Sequence, residues 1–288
     1  MEKVGNLPPL KRYPKQQMKF KILILICLFF VLFLSGNSAI AGQLSERVAE
    51  FPNWDSKPIL KEAEGDLIYP QWMAGEWQVT STLVEMVAPN PEVVTPGFEQ
   101  NRQYLNQPLT FKVRFYPQKN QLINVNLPFP QTLNVLNNSG EKNDKIVGDR
   151  AFNGLNIAQA ILGDEAVLSV KVDPQNPNKQ ITFFNNDNQL LSTVTLRGKE
   201  TPSSNQFVTA EIFQQIFQGE TSIYLNEVET TTAYTAKFNQ QDPETVDEVI
   251  ANQITAIYLS PQDPDYFKAQ NQPVSLYQYQ LKLLPIKM

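Results

Sequence analysis

The feature that most constrains the fold is alternation. From Ser222 to Phe238 apolar and polar residues trade places almost without interruption, with Tyr224, Val228 and Tyr234 on one parity. Successive side chains of a strand point to opposite faces, so a run of this kind reads as a long strand between two different environments. The same period recurs in Val249 to Leu259, where Ile254, Ala256 and Tyr258 share a face. It recurs again in Val274 to Leu284, where Tyr277, Tyr279, Leu281 and Leu283 oppose Gln278, Gln280 and Lys282. Further strands are expected at Gly75–Val87, Thr110–Tyr116, Leu122–Val125, Glu165–Val172, Gln180–Phe184 and Leu190–Arg197. Ala210–Phe217 mixes a strand pattern with a helical one and is read as strand.

Helical signals are sparse. The chain holds 21 Pro, and proline interrupts helix interiors. One short helix is expected at Asn156–Leu162, after Asn153-Gly154. A series of antiparallel strands joined in sequence most economically closes into a barrel, which removes exposed edges. The expected fold is therefore all-β, an antiparallel up-and-down β-barrel of lipocalin-like form with one or two short helices. A two-sheet β-sandwich is the alternative. Residues 75–288 are expected to form this one domain, preceded by an irregular lead-in over 42–74.

Composition narrows the chemistry. There is no His, and the one Cys is Cys27. Residues 22–34 read ILILICLFFVLFL, with Lys19 and Lys21 before them and Ala39-Ile40-Ala41 after. A basic stretch, a short apolar stretch and a small-x-small site predict an export signal over 1–41, cleaved after Ala41. Thirteen helical residues span about 20 Å, short of a bilayer core of roughly 30 Å. An uncleaved anchor is the competing reading. The mature chain is then expected to carry neither imidazole nor thiol. That excludes Ser-His-Asp and Cys-His catalysis, His/Cys zinc sites and disulfides. Six basic residues and one acidic residue precede Gly42, so 18 basic and 28 acidic groups remain, a net charge of −10. An acidic body is not expected to bind nucleic acid, whose phosphates are held by Lys and Arg.

Two resemblances attach to particular residues. Gly75-x-Trp77 at the start of the first long strand resembles the lipocalin and broader calycin signature. That resemblance implies a Trp capping one barrel end, with a basic residue of the last strand, here Lys282, packed across it. Gly75 would let the chain turn tightly into the strand. The segments Phe51-Pro52-Asn53-Trp54, Val94-Thr95-Pro96-Gly97-Phe98, Asp149-Arg150-Ala151-Phe152-Asn153 and Glu229-Thr230-Thr231-Thr232-x-Tyr234 resemble an uncharacterised family of cyanobacteria and plant chloroplasts. Its plant members carry thylakoid-lumen targeting. The resemblance implies a thylakoid lumen or periplasm, and no reaction.

Candidate site residues follow from side-chain chemistry. Tyr224, Tyr234, Tyr258, Tyr277 and Tyr279 on the late strands, with Trp77, are suited to the wall of a cavity for an amphipathic ligand. The alternative is a filled interior. Arg150 reads either as a cationic fork for a ligand carboxylate or phosphate, or as an arginine paired with a protein carboxylate to fix a loop. The long connection from Ala88 to Pro108 is expected over the cavity, with Phe98, Arg102 and Tyr104 facing it. Asp242, Glu244, Asp247 and Glu248 read as a solvated turn rather than a paired acid and base. No phosphate loop, EF-hand or dinucleotide fingerprint is present in the sequence.

The expected function is non-enzymatic binding of a small apolar or amphipathic molecule (a pigment, quinone, lipid or isoprenoid) without a cofactor or metal. The alternative is a ligand-free accessory or assembly factor at the lumenal face of a membrane protein complex. A carboxylate-dependent hydrolase ranks last.

Overall fold

Long alternating segments form long strands because each can bury one face and hydrogen-bond both edges. The computed structural model describes residues 42–118, 145–219 and 223–287, and the backbone of 123–124 and 134–135. The export segment expected over 1–41 lies outside the described residues, as do Leu122 and Val125 of the strand expected there.

In chain order, helix α1 (Gln43–Ala49) comes first, followed by β1 (Lys61–Glu62), β2 (Ile68–Tyr69), β3 (Gly75–Val87) and β4 (Pro108–Pro117). A separate two-stranded hairpin, β5 (Ile123–Asn124) and β6 (Asn134–Val135), precedes β7 (Ile146–Gly148). Helix α2 (Arg150–Leu162) leads into β8 (Val167–Asp173), β9 (Asn176–Phe184), β10 (Gln189–Ser203), β11 (Gln206–Gln218), β12 (Ile223–Phe238) and β13 (Val246–Leu259). The short α3 (Tyr266–Ala269) and β14 (Ser275–Pro285) end the described chain.

These strands make one antiparallel twelve-stranded sheet in the order β2-β7-β4-β3-β14-β13-β12-β11-β10-β9-β8, with β1 paired to β10. The fold is all-β and barrel-like, as alternation predicts, and it is one sheet rather than a two-sheet sandwich. From β8 to β14 the path is up-and-down; β14 then pairs with β3, so the last strand returns to the first long one. The two ends of the sheet, β2 beside β7 and β8, are not joined by strand pairing among the described residues. Helix α2 packs against β4, β8 and β9 on that side.

The register defines two faces. Thr230 lies opposite Thr255 and Thr232 opposite Gln253, while Glu229 lies opposite Ala256 and Thr231 opposite Ile254. The first set faces inward. The second faces the lead-in, which is not irregular throughout: α1 packs across β10 to β13 on the outer face. There Trp54 packs with Ile254, Ala256, Tyr258 and Leu276, and Leu44 packs with Val208 and Ala210. The lead-in comes close to β10 at position 198, which lacks a side chain. A Cβ on Gly198 would sit 2.7 Å from Leu60 Cδ2 and 3.4 Å from Leu44 Cδ1. On the inner face Met73, Trp77, Val79, Val113, Phe115, Val249 and Leu283 form a core at one end of the barrel. At the other end Phe98 is buried against Leu83, Met86 and Tyr277.

Gly75 enters β3 with φ +123, a conformation open to glycine alone at little cost. Trp77 is buried in the core, and its indole N–H donates to the Met73 carbonyl at 2.8 Å. Lys282 does not cross it. It lies on the parity opposite Leu281 and Leu283 and pairs with Glu248 at 2.8 Å. The capping role expected from the calycin resemblance is therefore corrected.

Candidate functional site

Between the two packed ends lies a cavity of about 890 Å³. Its apolar wall comes from inward residues of β3, β4 and β14: Val79 and Leu83, Leu109, Phe111 and Val113, and Leu281 and Leu283. Carboxamides and hydroxyls complete the lining: Gln180 on β9, Gln215 on β11, Tyr234 on β12, Gln253 and Thr255 on β13, and Tyr279 on β14. Helix α2 supplies the side on which the strands do not meet, through Gly154, Ile157, Ala160 and Ile161. Tyr104, Gln107, Pro108 and Ile161 are the lining residues exposed to solvent, so they mark the mouth.

Helix α2 begins six residues earlier than expected, at Arg150 rather than Asn156. Asp149 caps it by accepting the Phe152 N–H at 3.1 Å, which is the usual role of Asp at that position. The Asp149 carboxylate also takes the Arg114 Nε–H at 2.6 Å, which ties the helix start to β4. Gly154 lies beside β9, where the Gln180 carboxamide comes within 2.8 Å of the position a Cβ would take.

Arg150, on the first turn of α2, does line the cavity. Its guanidinium is divided between Asp66 at 3.4 Å and Glu211 at 3.0 Å. Glu211 also accepts from Arg197 at 2.7 Å, and Arg197 donates to Asn178 at 2.6 Å and to the Gly65 carbonyl at 2.8 Å. Of the two readings of Arg150, the structure shows the paired one. Burial works against its charge, but Glu211 and Asp66 outweigh that, and the pKa is raised above the ordinary arginine value. Beside this cluster, burial pushes the Tyr69 hydroxyl well above its usual range. Tyr234 is raised to about 12, mainly by burial and partly relieved by Thr232. Tyr279 is raised to about 12, by burial and then by Tyr277.

The other expected site residues divide. Tyr104, Tyr234 and Tyr279 line the cavity with Arg150. Trp77 sits below it in the core. Arg102 is exposed and paired with Glu99 at 2.6 Å, away from the cavity. Phe98 and Tyr277 pack together beyond it, ring centroids 5.7 Å apart. Tyr224 shares the parity of Tyr234 but lies nearer the β11–β12 turn, outside the lining.

Tyr258 requires the clearest correction, because it faces outward. Its hydroxyl donates to Glu229 at 3.0 Å and accepts from Arg47 Nη2 at 3.1 Å. Burial first, then the Glu229 charge, raises its pKa. Asp242 and Asp247 hydrogen-bond to Thr245 and Asn239 within an exposed turn, as a solvated turn would. Gln180, Gln215 and Gln253 also line the cavity, which the sequence alone does not indicate. No sequence signal marks Gln253, because it alternates with Ile254 and Tyr258, the more apolar face of its strand.

Among the described residues no helix is long and apolar enough to cross a membrane. No curated protein and no solved structure matches the chain. A family model described as a domain of unknown function (DUF6816) matches residues 61–287, and the chain belongs to that family.

Proposed function

We propose that this protein binds a small amphipathic molecule inside its sheet, without catalysing a reaction on it. The observation that carries the proposal is the cavity itself. An interior of about 890 Å³ falls within the range of small-molecule sites, roughly 300–1,000 Å³. A lining that combines apolar side chains with carboxamides and hydroxyls suits an amphipathic molecule. The two acids nearest its floor, Asp66 and Glu211, are both held by Arg150 rather than poised as an acid and a base. The accessory-factor reading calls for a filled interior, and the cavity favours binding over it.

The expected compartment is the thylakoid lumen or periplasm, supported by the export signal read over residues 1–41. Pigments, quinones and isoprenoids of photosynthetic membranes are the candidate ligands. The test is native mass spectrometry of the chain from Gly42, purified from a photosynthetic host and compared with its denatured mass. A small molecule lost on denaturation supports the proposal. A bare mass in both states, after purification without detergent, overturns it.

A further inference from the structure

We infer that the cavity selects an uncharged molecule bearing carbonyl or hydroxyl oxygens, and that it discriminates against carboxylates, phosphates and amines. The inference rests on the binding reading above and specifies its ligand.

Among the described residues the only formally charged groups in the lining are Asp66 and Arg150, and they bind each other. Behind them Glu211 bridges Arg150 and Arg197. Two guanidiniums thus face two carboxylates, and each is engaged. A ligand carboxylate would enter without a free cation and would have to displace Asp66 or Glu211 from an arginine. A ligand ammonium would compete with the arginines in the same way. Either would leave an unpaired charge out of water, which is costly.

Hydrogen bonding supplies the positive argument. Gln180 and Gln215 face the cavity and make no side-chain hydrogen bond among the described residues. Gln253 accepts from Thr232 at 3.4 Å and has its N–H groups free of protein partners among the described residues. A carboxamide offers two N–H donors and a carbonyl acceptor, and those of Gln180, Gln215 and Gln253 are half-buried and open to the cavity. Carbonyl oxygens match the donors and hydroxyls match the acceptors, with no formal charge on either. Leu109, Phe111, Leu281 and Leu283 in the same lining fit the hydrocarbon part of the molecule.

The test uses three probes on one skeleton, all-trans-retinol, retinoate and retinylamine, titrated into the chain from Gly42 and followed by calorimetry. Retinol is expected to bind at least tenfold more tightly than either ion. Glu211→Gln removes one negative charge with little change in shape, so two guanidiniums then face one carboxylate. The variant is expected to raise retinoate affinity at least tenfold relative to retinol, and Asp66→Asn should act in the same direction. Equal binding of retinol and retinoate by the parent overturns the inference and leaves the binding reading standing. So does an unchanged ratio in a Glu211→Gln protein that melts like the parent. Failure of all three probes to bind overturns the binding reading together with the inference.

Discussion

Glu229 is fully buried, and it is held by a bidentate bond from Arg47, at 2.6 and 2.7 Å, and by Thr231 and Tyr258. Arg47 also lies over the Trp54 ring, 3.8 Å from its centroid. Removing one partner of such a pair strands a buried charge, at a cost of about 3–5 kcal/mol. Arg47→Met is therefore expected to lower the stability measured in urea by that amount. The double variant Arg47→Met, Glu229→Leu should recover most of the loss, and a single variant within about 0.5 kcal/mol of the parent would show the pair to be unimportant. A second residue-scale prediction concerns alkaline pH. Tyr234 and Tyr279 keep their protons up to about 12 in the folded chain, whereas an unfolded tyrosine ionises near 10. The folded state then binds more protons than the unfolded one in that window. Their contribution is complete below about pH 10 and is lost as pH rises toward 12, up to about 3 kcal/mol for each. Stability from urea melts at pH 9, 10 and 11 should fall with pH. Tyr234→Phe and Tyr279→Phe should each flatten the decline, and an unflattened decline in both would refute the assignment. Neither the buried pair nor the inward tyrosines can be picked out locally. Arg47 and Glu229 lie 182 residues apart, and tyrosines of equal alternation end on opposite faces.

At the scale of elements, α2 is the part of the wall that strand pairing does not secure. It is held by the Asp149 cap, by the Arg114–Asp149 ion pair and by packing on β4, β8 and β9. Loss of an N-cap costs about 1 kcal/mol, and here the tie to β4 is lost with it. Asp149→Ala is expected to speed hydrogen exchange of the amides in 150–162 several-fold, leaving those of β12 and β13 protected. Uniform acceleration across all of them would mean that α2 does not open separately. The strands were legible because alternation is a local signal: Gly75–Val87 begins and ends where the sequence placed it. The start of α2 was not, because Asn153-Gly154 resembles a turn. Asn153 instead accepts the Arg114 N–H through its side chain, and Gly154 lies beside Gln180. Tyr258, expected in the cavity wall, faces outward for a related reason. Ile254, Ala256 and Tyr258 look like a cavity-facing stripe, but the lead-in covers them from outside, and Gln253 and Thr255 turn inward. The usual equation of the apolar side with the interior fails when a sheet is covered on its outer face and hollow within.

For the whole molecule, a hollow interior has an energetic signature. The cavity lining has no ligand-independent partner for Gln180 or Gln215 among the described residues, and apolar groups bordering a void lose dispersion contacts. A molecule that fills the space binds the folded state and not the unfolded chain, so it stabilises by mass action. At a free concentration of one hundred times Kd the gain is about 2.7 kcal/mol. For a chain of this size each kcal/mol raises Tm by about 2–4 °C, which gives a shift of about 5–10 °C. The shift should rise with the logarithm of ligand concentration above Kd. Replacing Gln215 with Trp should diminish it, because the indole would occupy space in the cavity while the exposed surface is unchanged. Scanning calorimetry of the chain from Gly42 with increasing retinol measures both effects. A Tm that rises for the parent and for Gln215→Trp alike would place the ligand on the outer surface, against the proposed site. A Tm that rises only for the parent would place it within the sheet, among the carboxamides of β9, β11 and β13 and the apolar side chains of β4 and β14.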